Sequence, residues 1–415
     1  MNAHPWRYGL LGLPLAFLAL PLYVSLPAHY AGSYGVPLAQ LGALLLFARF
    51  VDAALDPLIG RWCDGWLRAK RVTPVLCGAA LLMFGAFTGL FFPPLRGEAL
   101  LAWAAAMLVL GYISFSVVGV THQAWGARLG GDAMAQTRLM AWREGLALVG
   151  VLVASVLIST SGWGLTTAVL ALVLVAGLAA LLRSPLPAPQ THSGRLAWGL
   201  PWRTPGFQRL LAVYALNGIA AAIPATVLLF FVRDRLQTPQ YEALYLVSYF
   251  AAAAASMPLW LRAVARVGQG RAWLMGMGLA VISFVWAALL GKGDGIAFVA
   301  ICIATGVAAG ADLAIPPALL TRVIQHAELA GRAEGAFFGW WNAVTKLNLA
   351  LAAGLALPLL QFLGYSDGAR DPQALQALSA VYALLPCVLK LGAMALLWQL
   401  LLRGPARHTF RESLT

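Results

Sequence analysis

Long apolar stretches separated by short basic loops run along the whole chain. A helix that crosses the hydrocarbon layer of a membrane, which is about 30 Å thick, needs about 20 mostly apolar residues. The pattern therefore predicts twelve membrane-spanning helices. The predicted spans are residues 8–30, 37–62, 72–93, 98–126, 139–161, 165–184, 208–232, 240–266, 271–291, 295–325, 335–363 and 373–403.

One connection is longer than the others and divides the predicted spans into two sets of six. Residues 185–207 are rich in Pro, Ser and Gly, so they predict a cytoplasmic linker between an amino-terminal bundle, residues 1–184, and a carboxy-terminal bundle, residues 208–415. The halves share a short repeat, because PLIGR at 57–61 and PLWLR at 258–262 are each followed by a basic turn. Parallel half-repeats are typical of alternating-access transporters. The predicted fold class is all-α, a polytopic membrane protein of two six-helix pseudo-repeats.

Composition and charge agree with this interpretation. Hydrophobic residues make up 61% of the chain and charged residues 10%, whereas soluble domains carry about 25% charged residues. A net charge of +13 could indicate a nucleic-acid partner, but the basic residues lie in short loops. With both termini inside, the inner loops hold about four times as many Lys and Arg residues as the outer loops, which orients a membrane protein. We therefore expect a monomer surrounded by lipid in the inner membrane, with both termini cytoplasmic and no nucleic-acid partner.

The second predicted span carries three ionisable residues on one helical face. Arg49, Asp52 and Asp56 have the spacing i, i+3, i+7. Two carboxylates one turn apart repel each other, so one binds a proton or both share a cation. Hard oxygen ligands suit Na⁺ or H⁺, so Asp52 and Asp56 are the candidate cation ligands. The positions 201 residues later are Ala253 and Met257, so the architecture itself needs no acid there.

The eleventh predicted span contributes Lys346 within an apolar run. A lone ammonium there would lose its proton unless a carboxylate faced it, so we expect Lys346 to pair with Asp52 and Asp56. The alternative is a cluster that only holds the second and eleventh helices together. Ionisable groups inside a membrane favour the functional interpretation.

Other polar residues leave alternatives open. Asp312 lines a cavity or pairs with Arg322, and His122 makes an interhelical hydrogen bond or contacts a ligand. Salt bridges in cytoplasmic turns are expected for Asp64 with Arg68 and Arg71, and for Asp132 with Arg128. Trp125, Trp340 and Trp341 are candidates for a substrate pocket because they lie near buried polar residues, and Gln123 is a further candidate.

Enzymatic chemistry finds no support in the sequence. The chain has no Ser/His/Asp motif, Gly-rich phosphate loop or His/Cys metal spacing. It also has no ATP-binding motif, so no cofactor is expected apart from a coupling cation. An ion gradient is the expected source of energy.

The segment ARFVDAALDPLIGRWCDGWLRAKRVTP, residues 48–74, resembles the glycoside–pentoside–hexuronide:cation symporters, the melibiose-permease branch of the major facilitator superfamily. The segments TRLMAWREG, SMPLWLRAVARVGQGR and LAGRAEGAFFGWWNAVTKLNLALAAGLALPLLQFLGY are similar to other parts of that family. The resemblance implies a twelve-helix major facilitator fold and cation-coupled symport.

The resemblance also implies roles for individual residues. Asp52 and Asp56 match the cation-binding aspartates, and Ser116 falls where the family has a hydroxyl near the cation. Lys346 matches the lysine that couples the cation and substrate sites. Arg143 and Asn342 match positions that face the substrate.

The chain departs from the sugar-transporting members of the family at the substrate site. The first span has no acid, and Gly119 stands where those members have an aspartate in the fourth helix. Such a pocket suits a less hydroxylated or negatively charged solute, and an Arg143 without an acidic neighbour would favour an anion. The predicted function is cation-coupled symport of a small organic solute. The alternative is a cation-coupled transporter or flippase of a lysolipid-like amphipathic or anionic molecule.

Overall fold

The computed structural model describes residues 4–185 and 199–403, so residues 186–198 of the predicted linker lie outside the described residues. Within the described ranges the secondary structure is helical and contains no β-strand, which confirms the predicted all-α class. The amino-terminal passes are α1 (Pro5–Gly9, Gly12–Leu20, a π turn at Pro21–Ser25, and Leu26–Tyr34), α2 (Leu38–Arg68), α3 (Val72–Phe91), α4 (Glu98–Arg128), α5 (Ala133–Thr160) and α6 (Gly162–Leu182).

Six further passes follow in the carboxy-terminal part of the chain. They are α7 (Pro205–Phe230, ending in a π turn at Phe231–Leu236), α8 (Glu242–Val267), α9 (Gln269–Phe284, ending in a 3-10 turn at Val285–Leu289), α10 (Gly295–His326), α11 (Glu334–Phe362) and α12 (Pro372–Ser379, Ala380–Leu384, Leu385–Leu397 and Trp398–Leu402). Each predicted span thus corresponds to one helical pass.

Ten of these passes, α3 to α12, are long and apolar enough to cross a membrane by the described residues alone. The other two, α1 and α2, have features that interrupt an apolar helix. A π turn divides α1, and α2 carries Arg49, Asp52 and Asp56. Pro57 lies inside α2 and Pro258 inside α8, so the repeated PLxxR segments occupy corresponding helices.

Polar caps explain where two helices begin. The Asp132 carboxylate accepts a hydrogen bond from the backbone N–H of Ala135 at 2.7 Å, so α5 begins at Ala133 rather than at the predicted residue 139. Hydropathy alone misses the polar first turns of a helix that extends beyond the apolar layer. Asp371 caps α12 in the same way through Ala374, with Pro372 in the first turn.

The chain divides into two compact units. The first comprises Met1–Pro201 and Ile324–Ala343, and the second comprises Trp202–Val323 and Val344–Thr415. The first turns of α11 therefore belong to the first unit and the remainder of that helix to the second. The predicted division into two six-helix bundles at the linker stays a prediction.

Aromatic side chains form a large part of the core of the second unit. The rings of Phe231 and Tyr382 stack with their centroids 4.0 Å apart. Tyr245 and Phe298 pack edge to face at 4.8 Å. Because these residues come from α7, α8, α10 and α12, their contacts hold four passes around one centre.

Glycines allow helices of the first unit to approach each other closely. A Cβ atom at Gly60 of α2 would clash with the carbonyl oxygen of Gly335 in α11, and one at Gly339 would lie 2.5 Å from the carbonyl oxygen of Asp56. The first turns of α11 therefore pack directly against the part of α2 that carries Asp56. Only glycine permits this separation.

We predict that Gly60→Ala destabilises the protein by about 1–3 kcal/mol, the usual cost of overpacking a close contact. The measurement is the thermal unfolding midpoint of the purified protein in detergent. Gly42→Ala on the same helix is the control, because a Cβ atom there meets nothing within 4 Å. Equal midpoints for the two variants would show that α2 and α11 do not need this contact.

Candidate functional site

The predicted cation ligands lie in the interior of the first unit. The Ser116 hydroxyl of α4 donates a hydrogen bond to Asp52 Oδ1 of α2 at 2.7 Å. Both side chains are 3% exposed, and Asp56, one turn along α2, is fully buried. The structure therefore brings Asp52 and Ser116 together although they are 64 residues apart in the sequence.

A polar wall forms where α4 meets the first turns of α11. The Asn342 side-chain amide donates a hydrogen bond to Gln123 Oε1 at 2.9 Å, so two predicted substrate-site residues are in contact. Trp341 beside them is 3% exposed. Gly119, one turn before Gln123, faces open space, since a Cβ atom there would meet nothing within 4 Å.

Trp125 and His122 have structural contacts in the same region of α4. The Trp125 indole is fully buried and donates its N–H to the carbonyl oxygen of Pro185 at 3.1 Å. His122 Nε2 lies 2.8 Å from the carbonyl oxygen of Tyr8, and the two rings pack with centroids 4.3 Å apart. The only polar atom of the Trp125 side chain is engaged, so we leave Trp125 out of the proposed substrate site. His122 Nδ1 is buried without a hydrogen-bond partner among the described residues, so the choice between its two expected roles stays open.

The expectation that Arg143 has no acidic neighbour is wrong. The Arg143 guanidinium forms an ion pair with the carboxylate of Glu144, the next residue of α5. The two side chains are 15% and 17% exposed, so the pair is largely removed from bulk water. Glu144 offsets the charge that was expected to attract an anionic substrate.

Lys346 lies in α11, three turns after Glu334, and belongs to the second unit. Its pairing with Asp52 and Asp56 stays a prediction. The sequence assigned it a coupling role through the family resemblance and through the need of a buried ammonium for a carboxylate.

A buried ion cluster occurs at the ends of α2 and α4, with partners that differ from the expected ones. Arg128 donates to Asp64 at 3.2 Å and to Glu334 at 2.8 Å. The Asp64 carboxylate also accepts hydrogen bonds from the backbone N–H groups of Gly335 and Ala336, both at 2.9 Å. Arg128, from a different helix, is thus the cationic partner of Asp64, in place of the neighbouring arginines of the same loop.

The predicted pairing of Asp132 with Arg128 is also wrong. Asp132 caps α5 through Ala135, while Arg128 is directed to Asp64 and Glu334. Both wrong pairings, of Asp64 and of Asp132, were suggested by closeness in the sequence. The observed partners are instead determined by helix capping and by the packing of helices.

A second buried network lies in the second unit and was missed by the sequence analysis. Lys390 of α12 donates to Asp312 of α10 and to Asn217 of α7, both at 2.7 Å. Asp312 also accepts a hydrogen bond from the Trp273 indole at 2.8 Å. The open question about Asp312 is thereby answered, since it pairs with Lys390 and lines a cavity within this unit.

Among residues 4–185 and 199–403, no three His, Cys, Asp or Glu side chains come together as a transition-metal site would require. The two aspartates of α2 stay the predicted cation ligands. Their carboxylate oxygens and the Ser116 hydroxyl are hard donors of the type that Na⁺ accepts.

Comparison with known proteins gives consistent relatives. Residues 7–403 match the family described as MFS/sugar transport protein. The chain is 24% identical over 393 residues to the inner membrane symporter YicJ of Escherichia coli (strain K12), covering 86% of this chain and 83% of that protein. It is 23% identical over 402 residues to the glucuronide carrier protein homolog of the same organism, covering 89% of this chain and 86% of the relative. Both relatives belong to the glycoside–pentoside–hexuronide:cation symporter family.

Solved structures share the fold. A bacterial homologue of the iron transporter ferroportin in an outward-facing state aligns with a TM-score of 0.65 at 17% identity, over 94% of this chain and 98% of that chain. The major facilitator superfamily transporter FucP in the outward conformation aligns with a TM-score of 0.59 at 12% identity, with the same two coverages. These similarities confirm the predicted major facilitator fold.

We predict that Arg128→Gln destabilises the protein by about 3–5 kcal/mol, because it leaves the carboxylates of Asp64 and Glu334 buried without their cation. Thermal unfolding of the purified variant measures the loss. Adding Glu334→Gln should recover part of it, and the exposed Arg138→Gln is the matched control. An Arg128→Gln variant as stable as the control would mean that the cluster contributes nothing.

Proposed function

The chain belongs to the MFS/sugar transport protein family, and on that premise we propose that it carries a small organic solute by cation-coupled symport. Members of this family are multi-pass membrane transporters and not enzymes. The coupling cation in the proposal is Na⁺ or H⁺, and transport proceeds by alternating access. No resident cofactor takes part.

The observation that carries the proposal is the buried hydrogen bond from Ser116 to Asp52, one turn from the fully buried Asp56. An ionised carboxylate inside a membrane costs at least about 2.5–3.5 kcal/mol, and a second carboxylate nearby raises that cost. Binding of one cation or one proton lowers both the cost of the buried charge and the repulsion between the two carboxylates. Ser116 donates its proton to Asp52, and a hydroxyl oxygen is also a hard donor of the type that Na⁺ prefers.

The residues that would hold Na⁺ are Asp52 and Asp56, with Ser116 as an additional oxygen donor. If H⁺ is the coupling ion, one aspartate binds it and Ser116 stabilises the carboxylate that stays charged. Lys346 is proposed to respond to the charge of this site, so that cation binding and substrate binding depend on each other.

The proposed substrate site uses the polar wall of Gln123 and Asn342, with Trp341 beside it and the open space at Gly119. The carboxylates that grip adjacent sugar hydroxyls in sugar-transporting relatives have no counterpart in α1 or at Gly119. We therefore expect a solute with fewer hydroxyl groups. Because Glu144 neutralises Arg143, the preference for an anion is weaker than the sequence suggested.

A flippase or exporter of an amphipathic or anionic molecule is the second candidate. The glucuronide carrier homolog among the relatives supports the anionic version, since a glucuronide carries a carboxylate. We also propose that the protein lies in the inner membrane as a monomer. The excess of basic residues in the inner loops supports the cytoplasmic placement of both termini.

We predict that Asp52→Asn and Asp56→Asn each reduce gradient-driven solute accumulation at least tenfold in proteoliposomes. Ser116→Ala should raise the cation concentration for half-maximal transport about tenfold, because a hydrogen bond to a charged group contributes about 1.5–3 kcal/mol. Asp367→Asn, which removes an exposed carboxylate, is the control. Wild-type cation dependence in both aspartate variants would exclude this pair as the coupling site.

We predict that methyl β-galactoside causes no shift of the unfolding midpoint in lipid nanodiscs, whereas methyl β-glucuronide causes a small one. Glu144→Gln should tighten glucuronide binding about tenfold or more by freeing Arg143, and Arg143→Gln should abolish it. Tight binding of the galactoside would contradict this prediction. Glucuronide binding that is unchanged in both variants would show that other residues recognise the substrate.

A further inference from the structure

The second unit contains a cavity of about 310 Å³, which lies within the size range of small-molecule sites, about 300–1,000 Å³. Residues of α7, α8, α9, α10 and α12 form its walls. Most of the lining is apolar, and a large part of it is aromatic: Tyr245, Tyr249, Phe250, Phe284, Phe298 and Tyr382. Flat apolar walls of this kind suit a ring-containing ligand.

The lining also includes one charged pair. Lys390 and Asp312 form an ion pair at 2.7 Å and are 10% and 16% exposed, respectively. Asp312 Oδ2 accepts from Lys390, while Oδ1 accepts from Asn217 at 3.1 Å and from Trp273 at 2.8 Å. Both oxygens of this carboxylate are therefore engaged, and the pair has no net charge.

Lys390 has one N–H donor left that can bind a ligand in the cavity. An ammonium group has three N–H donors, and Lys390 directs one to Asp312 and one to Asn217. An anion placed there would meet the Asp312 carboxylate at close range, and a cation would meet the ammonium. A neutral oxygen acceptor avoids both repulsions.

We infer that this cavity binds a neutral, apolar, ring-containing molecule that accepts one hydrogen bond from Lys390 through a carbonyl or comparable oxygen. The aromatic side chains pack against the rings of the ligand, and the Lys390–Asp312 ion pair favours a neutral oxygen acceptor over a charged group. This site is separate from the proposed cation site, because all of its residues belong to the second unit. It does not depend on cation coupling.

Benzophenone is a suitable probe, because it has two rings and one carbonyl and attaches to nearby C–H bonds under ultraviolet light. Purified full-length protein in lipid nanodiscs is irradiated with benzophenone, and mass spectrometry locates the adducts. We expect them on lining residues such as Leu228 and Ile301. 9-Fluorenone should protect these residues at a concentration at least tenfold lower than fluorene, which has the same rings but no carbonyl.

Two variants separate this site from general labelling of apolar surface. Ala309→Phe fills the cavity from α10 and should remove the adducts, whereas Ala300→Phe, at an exposed position of the same helix, should leave them. Lys390→Met combined with Asp312→Asn removes the donor without leaving a buried unpaired carboxylate. In that double variant, the tenfold difference between fluorenone and fluorene should disappear.

Adducts that spread over the exposed apolar faces and are unaffected by Ala309→Phe would overturn the proposed site. Equal protection by fluorenone and fluorene in the wild-type protein would overturn the role of Lys390. Because binding is measured without an ion gradient, neither outcome depends on Asp52 or on the proposed symport. A failure of cation coupling would likewise leave this test unchanged.

Discussion

An ionisable side chain inside a membrane-spanning helix needs a partner, because an isolated charge there costs several kcal/mol. Several described residues meet this constraint through partners on other helices. Ser116 of α4 donates a hydrogen bond to Asp52 of α2, and Lys390 of α12 forms an ion pair with Asp312 of α10. Arg128 stands between two carboxylates. These contacts fix the positions of the helices relative to one another within each unit.

The fold was largely predictable from the sequence, because each apolar stretch long enough to cross a membrane became a helical pass. The clearest error was the start of α5, six residues earlier than predicted, since Asp132 caps polar turns that hydropathy does not register. The close packing of α2 on α11 was not predictable. It depends on which backbone atoms meet Gly60 and Gly339, and a single sequence does not contain that information.

The sequence indicated correctly that Asp52 needs a partner from another helix, but it suggested wrong partners where an opposite charge lay nearby. Asp52 required a partner from elsewhere, and Ser116 is in contact with it. Glu144 stood beside Arg143 in the sequence and was overlooked. Lys390, like Lys346, is a lysine within an apolar run. Its sequence context would therefore also have predicted a buried carboxylate partner, which is Asp312.

The solute gradient at which net transport stops is the most direct measure of cation coupling. Proteoliposomes are loaded with a solute that binds, and the opposing solute gradient that stops net flux is measured while a Na⁺ or H⁺ gradient is imposed. The account predicts that this stopping gradient rises with one of the two cation gradients, in a fixed ratio. Flux that stops only when the solute concentrations are equal, under either cation gradient, would contradict it.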